Sequence, residues 1–177
     1  MMLPVFRFLN HFVQVRGSQV ANRNANDGIA LLKIAEGAAN EISAMLQRMR
    51  ELAVQSDNDT LTTVERQYLD QEFQALTEEI TRISAAAQYN GQTLIYGGEG
   101  FGVAGGTSSI LHIGANNIQG VDRLNVTITS VSAGALSLTN SSISTNVGAL
   151  SSITAVDNAI MSVNRMRSDL GAYINRL

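Results

Sequence analysis

The chain has 177 residues, with 12 Lys and Arg against 15 Asp and Glu, so its net charge is −3 and it carries no basic excess for nucleic acid or an anionic membrane surface. Cysteine and tryptophan are absent, which excludes a disulfide framework and thiolate metal sites. Hydrophobic residues reach 45% but aromatics only 5%, a composition suited to close helix packing rather than to a thick globular core.

Met1 to Val15 (MMLPVFRFLNHFVQV) is apolar but broken by Arg7, Asn10 and His11. No run approaches the ~20 residues needed to span a bilayer. The stretch lacks a small-residue cleavage site, so export without a cleaved signal peptide is the expected route if the protein leaves the cell. Leu31, Ala35, Ala38, Ile42, Met45, Met49 and Leu52 then step by alternate fours and threes, the seam of a coiled coil or antiparallel bundle. A continuous helix from Val5 to Gln55 would be roughly 75 Å long at ~1.5 Å per residue. Gly17, Gly28 and Gly37 would each cost it ~1 kcal/mol relative to Ala.

Ser56 to Thr63 (SDNDTLTT) reads as a turn, and Thr62 with Glu65 fits a capping box. A second stripe follows at Leu69, Phe73, Leu76, Ile80, Ile83 and Ala87, and Asn90-Gly91 is expected to end that helix in a tight turn. From Leu94 to about Asn146 the chain is rich in Gly, Ser, Thr and β-branched residues, and Leu124 to Thr129 alternates at period two. Two or more hairpins are expected there. The third stripe runs Ile153, Val156, Ile160, Val163, Arg167, Leu170, Ile174, Leu177, with the helix starting near Thr145 or Asn146 and no stop signal before the last residue. A continuation beyond Leu177 is therefore expected. The predicted fold is mainly α with a small β part: a long antiparallel rod of three helical segments with β-hairpins at one end. Residues 1–93 carry the first helix to about 56 and the second over about 62–89. Residues 94–145 form the hairpin or variable region and 146–177 the last helix, all in one rod-like domain.

Signals for chemistry are weak. Gly100 to Gly105 matches G-x-G-x-x-G, but loop and strand residues follow it where a phosphate-binding helix would have to start. His11 and His112 lie about a hundred positions apart with no converging partner. Asp70, Glu72, Glu78 and Glu79 read as a solvated or ion-paired helix face. Neither a catalytic constellation nor a cofactor site is expected. What remains is a polar helix face at Leu46-Gln47-Arg48-Met49-Arg50-Glu51-Leu52, extended by Gln55. Spacing leaves two readings open: a solubilising surface with a local ion pair, or a contact face for another polypeptide.

Longer stretches carry a resemblance. Asn22 to Ser56 (NRNANDGIALLKIAEGAANEISAMLQRMRELAVQS) resembles the long N-terminal core helix of bacterial flagellins. ERQYLDQEFQALTEEITRISAAAQYNGQTLI resembles their second core helix and turn, and LHIGANN the strand that follows. Ala155 to Leu177 (AVDNAIMSVNRMRSDLGAYINRL) resembles the returning C-terminal helix. The resemblance implies a core rod without the terminal inner-tube segments and large outer domains. It implies a structural subunit that self-assembles into the extracellular flagellar filament and serves motility, handled by flagellar export and cap proteins. A hook–filament junction protein and a flagellin-like surface binding module are the alternatives. It also implies recognition by Toll-like receptor five. The protein-contact residues so implied are Leu46, Gln47, Arg48, Arg50, Glu51, Leu52, Gln55, Glu72 and Arg167, with the position of Arg48 at the centre.

Overall fold

The computed structural model describes residues 3–97, 101 and 109–177, with side chains from residue 13 on. The elements in order are α1 (Leu3–Ser56), α2 (Thr63–Ala86), β1 (Gln88–Tyr89), β2 (Gln92–Thr93), β3 (Ser109–His112), β4 (Arg123–Val126) and α3 (Asn146–Arg176). At 54 residues α1 is about 80 Å long. A helix of that length holds its shape through tertiary packing rather than propensity. α3 supplies most of that packing and runs antiparallel to it, so that Arg50 meets Asp157 while Gly28 lies by Leu177. α2 folds back along the other flank, where Arg48 meets Glu72. No helix among the described residues is long and apolar enough to cross a membrane.

The core positions differ in phase from a single heptad seam. On α3 the buried residues are Ala149, Ser152, Val156, Ala159, Val163, Met166 and Leu170, spaced by strict threes and fours. Ile153, Ile160, Ile174 and Leu177 are only partly buried beside them, and Arg167 likewise lies at the edge, because Met166 takes the inward position. On α1, Leu31, Ala35, Ile42, Met49 and Leu52 are buried as their spacing predicts, but Leu32, Ala39, Leu46 and Ala53 are buried with them. A helix with a neighbour on each side buries an arc wider than one seam.

α2 starts at the N-cap Thr62 with both halves of the capping box in place. Its end departs from the sequence expectation. The helix stops at Ala86, and Asn90-Gly91 turns a separate two-strand hairpin in which Gln88 pairs Thr93 and Tyr89 pairs Gln92. Both turn residues take positive φ, 50° and 77°, which is what a two-residue hairpin loop requires and what Asn-Gly supplies. The stretch 87–89 is thus drawn into the hairpin instead of the helix.

The second antiparallel pair, β3–β4, registers Ile110 with Asn125 and Leu111 with Leu124. It sits where α2 and α3 end, against α1: the Asn24 amide donates to the His112 carbonyl at 3.0 Å, and Gly28 leaves room for Leu111. The connecting loop folds around Asp122, which is only 5% exposed and accepts from the backbone N–H groups of Asn116 (3.3 Å) and Ile118 (2.8 Å). A further hairpin over 127–145 is not formed. That segment is a strap of tight turns running from Tyr173 back to Ser56, with Val131, Leu136, Leu138 and Ile143 buried against the bundle. Ser137 at φ 59° and the Ser137-to-Gly134 turn interrupt the alternation that strands need. The Gly100–Gly105 motif, apart from Phe101, lies outside the described residues, as does the His11 side chain.

Two outcomes follow. A Cβ on Gly114 would overlap the Asp122 carboxylate, whereas one on Gly37 meets nothing within 4 Å. Gly114→Ala should therefore lower the urea midpoint, and Gly37→Ala should raise stability by about 1 kcal/mol. Separately, Glu65 accepts from the Thr62 N–H at 2.7 Å, which holds its carboxyl below the usual range. A depressed carboxylate stabilises the fold above its ordinary pKa, and that contribution is lost as pH falls through the depressed value. Glu65→Ala should be destabilised at pH 7, and its gap from the parent should close towards pH 3 in urea titrations followed by circular dichroism.

Candidate protein-binding face

Successive residues of an α-helix are turned by about 100°, and this decides how the polar stretch at the end of α1 is divided. Arg48 and Arg50 fall on opposite flanks. Arg48 faces α2: its Nε and Nη2 both reach Glu72 Oε1 at 2.8 Å, and its Nη1 reaches Glu51 Oε2 at 3.3 Å. Arg50 faces α3, with Nε donating to Asp157 Oδ1 at 2.7 Å. The bonds to Glu72 and then Glu51 raise the Arg48 pKa, and the bond to Asp157 raises that of Arg50, so both stay cationic at any working pH. Gln47, Glu51 and Gln55 lie exposed on the ridge between them. The flanking ions are themselves about half exposed. Exposed pairs of this kind add little to stability, but they fix the orientation of two planar guanidinium groups, one on each side of the ridge.

Leu46 and Leu52 do not belong to that surface. Both are fully buried in the bundle core, because their positions on the helical wheel fall within the arc that α1 turns towards its neighbours. Arg167 is also apart from the Arg48 cluster. It lies on α3 at the core edge, with its Nε buried and without a hydrogen-bond partner. The sequence expectation therefore divides three ways: Gln47, Arg48, Glu51, Gln55 and Glu72 are brought together, Arg50 sits across the ridge with Asp157, and Leu46, Leu52 and Arg167 serve elsewhere.

Sequence reasoning passed over two kinds of residue here. Val54, on the same ridge, and Val64 and Tyr68, on α2, are exposed apolar side chains on otherwise polar faces. The signal was an apolar residue out of phase with the stripe. The other is Arg66. It is buried to 14% exposure and donates to the Ser56 carbonyl at 2.8 Å and the Asn58 carbonyl at 3.0 Å, closing the α1–α2 corner. Spacing alone gives no sign of that inward turn. The described residues contain no group of three or more His, Asp or Glu side chains placed to hold a metal ion.

Residues 7–99 match the family model described as the bacterial flagellin N-terminal helical region. The chain is 40% identical over 164 residues to a flagellin of Halalkalibacterium halodurans and 37% identical over 174 residues to flagellin FlaB1 of Treponema pallidum. In each case 93% of this chain is matched, but it spans only 57% and 59% of the relative's length. A solved flagellin from Bacillus cereus superposes with a TM-score of 0.72 at 27% identity, covering 87% of this chain and 84% of that one. FliC from Burkholderia pseudomallei, 19% identical with a TM-score of 0.58 over 85% of this chain and 100% of its own, shares the fold.

The division between core and face is testable by substitution. Leu46→Ala and Leu52→Ala should each cost 2–5 kcal/mol, the usual range for emptying a packed leucine site. Arg48→Ala and Arg50→Ala should leave the helical signal and the denaturation midpoint nearly unchanged.

Proposed function

The chain belongs to the bacterial flagellin family, and from that premise we propose that it is the rod-shaped core of a flagellar filament subunit, handled by flagellar export and cap proteins. The observation that carries the reading is the continuous α1 helix. Along its 54 residues it leaves Val13, Val15, Val20, Ile34 and Val54 exposed to solvent. A long helix with apolar residues turned to solvent gains from packing against further helical protein. Heterologous contacts that do not close on themselves give an open filament.

The finer part of the proposal concerns the ridge of α1. Gln47, Arg48, Glu51, Gln55 and Glu72 form a contact face for Toll-like receptor five, with Arg50 at its far edge. Arg48 is the centre, since its guanidinium is already oriented by two carboxylates and loses little freedom on docking. The same surface serves contacts between subunits, so receptor and polymer compete for it.

Both parts have direct tests. Labelled chain mixed with sheared filament seeds should add to their ends under electron microscopy. Failure to add, with or without further terminal helical segments, removes the filament reading. Arg48→Ala should weaken receptor activation in a reporter cell line by at least tenfold, in keeping with a hot-spot loss of about 2 kcal/mol. Full signalling by that variant removes the receptor reading and leaves the filament reading standing.

A further inference from the structure

Where α1, the β1–β2 hairpin and β3 meet, they leave a cleft of about 230 Å³. Leu31 of α1, itself buried, and Leu111 of β3 give it an apolar lining. Gly28 sets the approach of these two elements: a Cβ there would come within 2.7 Å of the Leu111 side chain and push β3 off the helix. Tyr89 and Phe101 add aromatic walls, in a chain with only four Tyr, five Phe and no Trp. The Phe101 N–H donates to the Thr93 carbonyl at 3.1 Å, which ties this residue to the hairpin.

The polar part of the lining is small and one-sided in charge. Asn90 and Gln92 contribute side-chain amides, with Asn90 held in place by the positive-φ turn of the hairpin. Asp27 contributes the one charge, on an exposed side chain next to Gly28. No Lys or Arg lines the cleft. Glu51, Glu72, Glu79 and Asp157 each meet an arginine, but among the described residues Asp27 has no cation within ion-pair distance. Arg23 stands one turn earlier on α1 and does not close on it. An uncompensated carboxylate thus stands beside an apolar, aromatic-walled space.

We propose that this cleft binds a small organic ammonium ion, an ammonium head on a compact apolar or aromatic body. The body fills the space among the two leucines and the two aromatic side chains, in the manner of apolar ligand pockets with a few polar groups that fix orientation. The head pairs with Asp27 close to aromatic rings, whose quadrupoles attract a cation. Asp27 repels an anion of the same shape. A sugar finds partners in Asp27, Asn90 and Gln92 alone and has to lay its other hydroxyls against leucine, which costs their hydration. At ~30 Å³ of liquid volume per water, the cleft holds about eight waters, room for a ligand of roughly ten heavy atoms. The site goes beyond the filament and receptor readings and uses none of the residues on which they rest.

Phenethylammonium chloride is the probe, with phenethyl alcohol and phenylacetate as neutral and anionic counterparts of nearly the same body. Each is titrated at pH 7 into the isotope-labelled chain, and the amide resonances of Gly28, Asn90, Gly91, Gln92 and Leu111 are followed by NMR. The ammonium ion should shift these resonances saturably, with a Kd of about 1 mM. The alcohol should bind about tenfold more weakly, and phenylacetate should leave the resonances in place. Asp27→Asn, a change on an exposed side chain, should reduce ammonium binding to the level of the alcohol. Phe101→Ala should weaken the ammonium ion and the alcohol together, since both use that wall. Equal affinity for all three compounds, an unchanged Kd in Asp27→Asn, or shifts scattered away from the cleft would overturn the inference. The three-compound series is read on the unaltered chain, so it decides alone if a variant misfolds.

Discussion

The structure depends on the contact between α1 and α3. α1 takes most of its stability from packing its apolar face, and α3 lies antiparallel along its second half to supply that packing. Many of the buried positions are small or β-branched, Ala35, Ala39 and Ala53 on α1 and Ala149, Val156, Ala159 and Val163 on α3, interleaved with the larger Leu32, Leu46, Met166 and Leu170. Small residues let the helix axes approach, and β-branched residues there lose little further rotamer freedom on packing. This explains how a chain with few aromatics and no tryptophan still buries a continuous core. Phe73 is the largest fully buried side chain, and it comes from α2, which fills the remaining flank.

Around that seam the other parts act as closures. Arg66 and the Thr62 capping box turn the α1–α2 corner. Asp70 accepts from the Ile143 N–H at 2.7 Å and from the Ser142 hydroxyl at 3.0 Å, which pins the strap at its upper end. Ser56 donates to the Ile143 carbonyl at 2.5 Å from the opposite side. Carboxylates and hydroxyls in these places satisfy backbone groups that an irregular segment would otherwise bury unpaired. The β3–β4 pair does the same at the other end through Asp122 and Asn24. Polar side chains of this molecule are thus spent largely on irregular backbone, and the exposed helix ridges keep theirs for the outside.

Much of this was legible in the sequence, in proportion to how local the cause is. The three helices, the capping box at Thr62 and Glu65, and the start of α3 at Thr145 and Asn146 follow from periodicity and cap chemistry within a few residues. The Asn90-Gly91 turn was legible as a turn, but its strands at 88–89 and 92–93 were not, because two-residue strands have no periodic signal. The phase of each helix depended on a second neighbour. Leu46 and Leu52 look like members of a polar stretch when read linearly, and only the two-sided packing of α1 carries them inward. The separation of Arg48 from Arg50 follows from helix geometry alone and could have been read beforehand. The inward turn of Arg66 and of Asp122 could not, since each depends on backbone groups brought close by loop conformation.

In this structure α1 from Leu31 to Ser56 is one cooperative unit locked by α3. Amide hydrogen exchange on the purified chain tests it most directly. The amides of residues 31–56 and 149–170 should exchange together, at the slowest rates in the molecule, and Val163→Ala should speed both sets equally. Independent exchange of the two helices, or fast exchange in the middle of α1 while α3 stays protected, would contradict it.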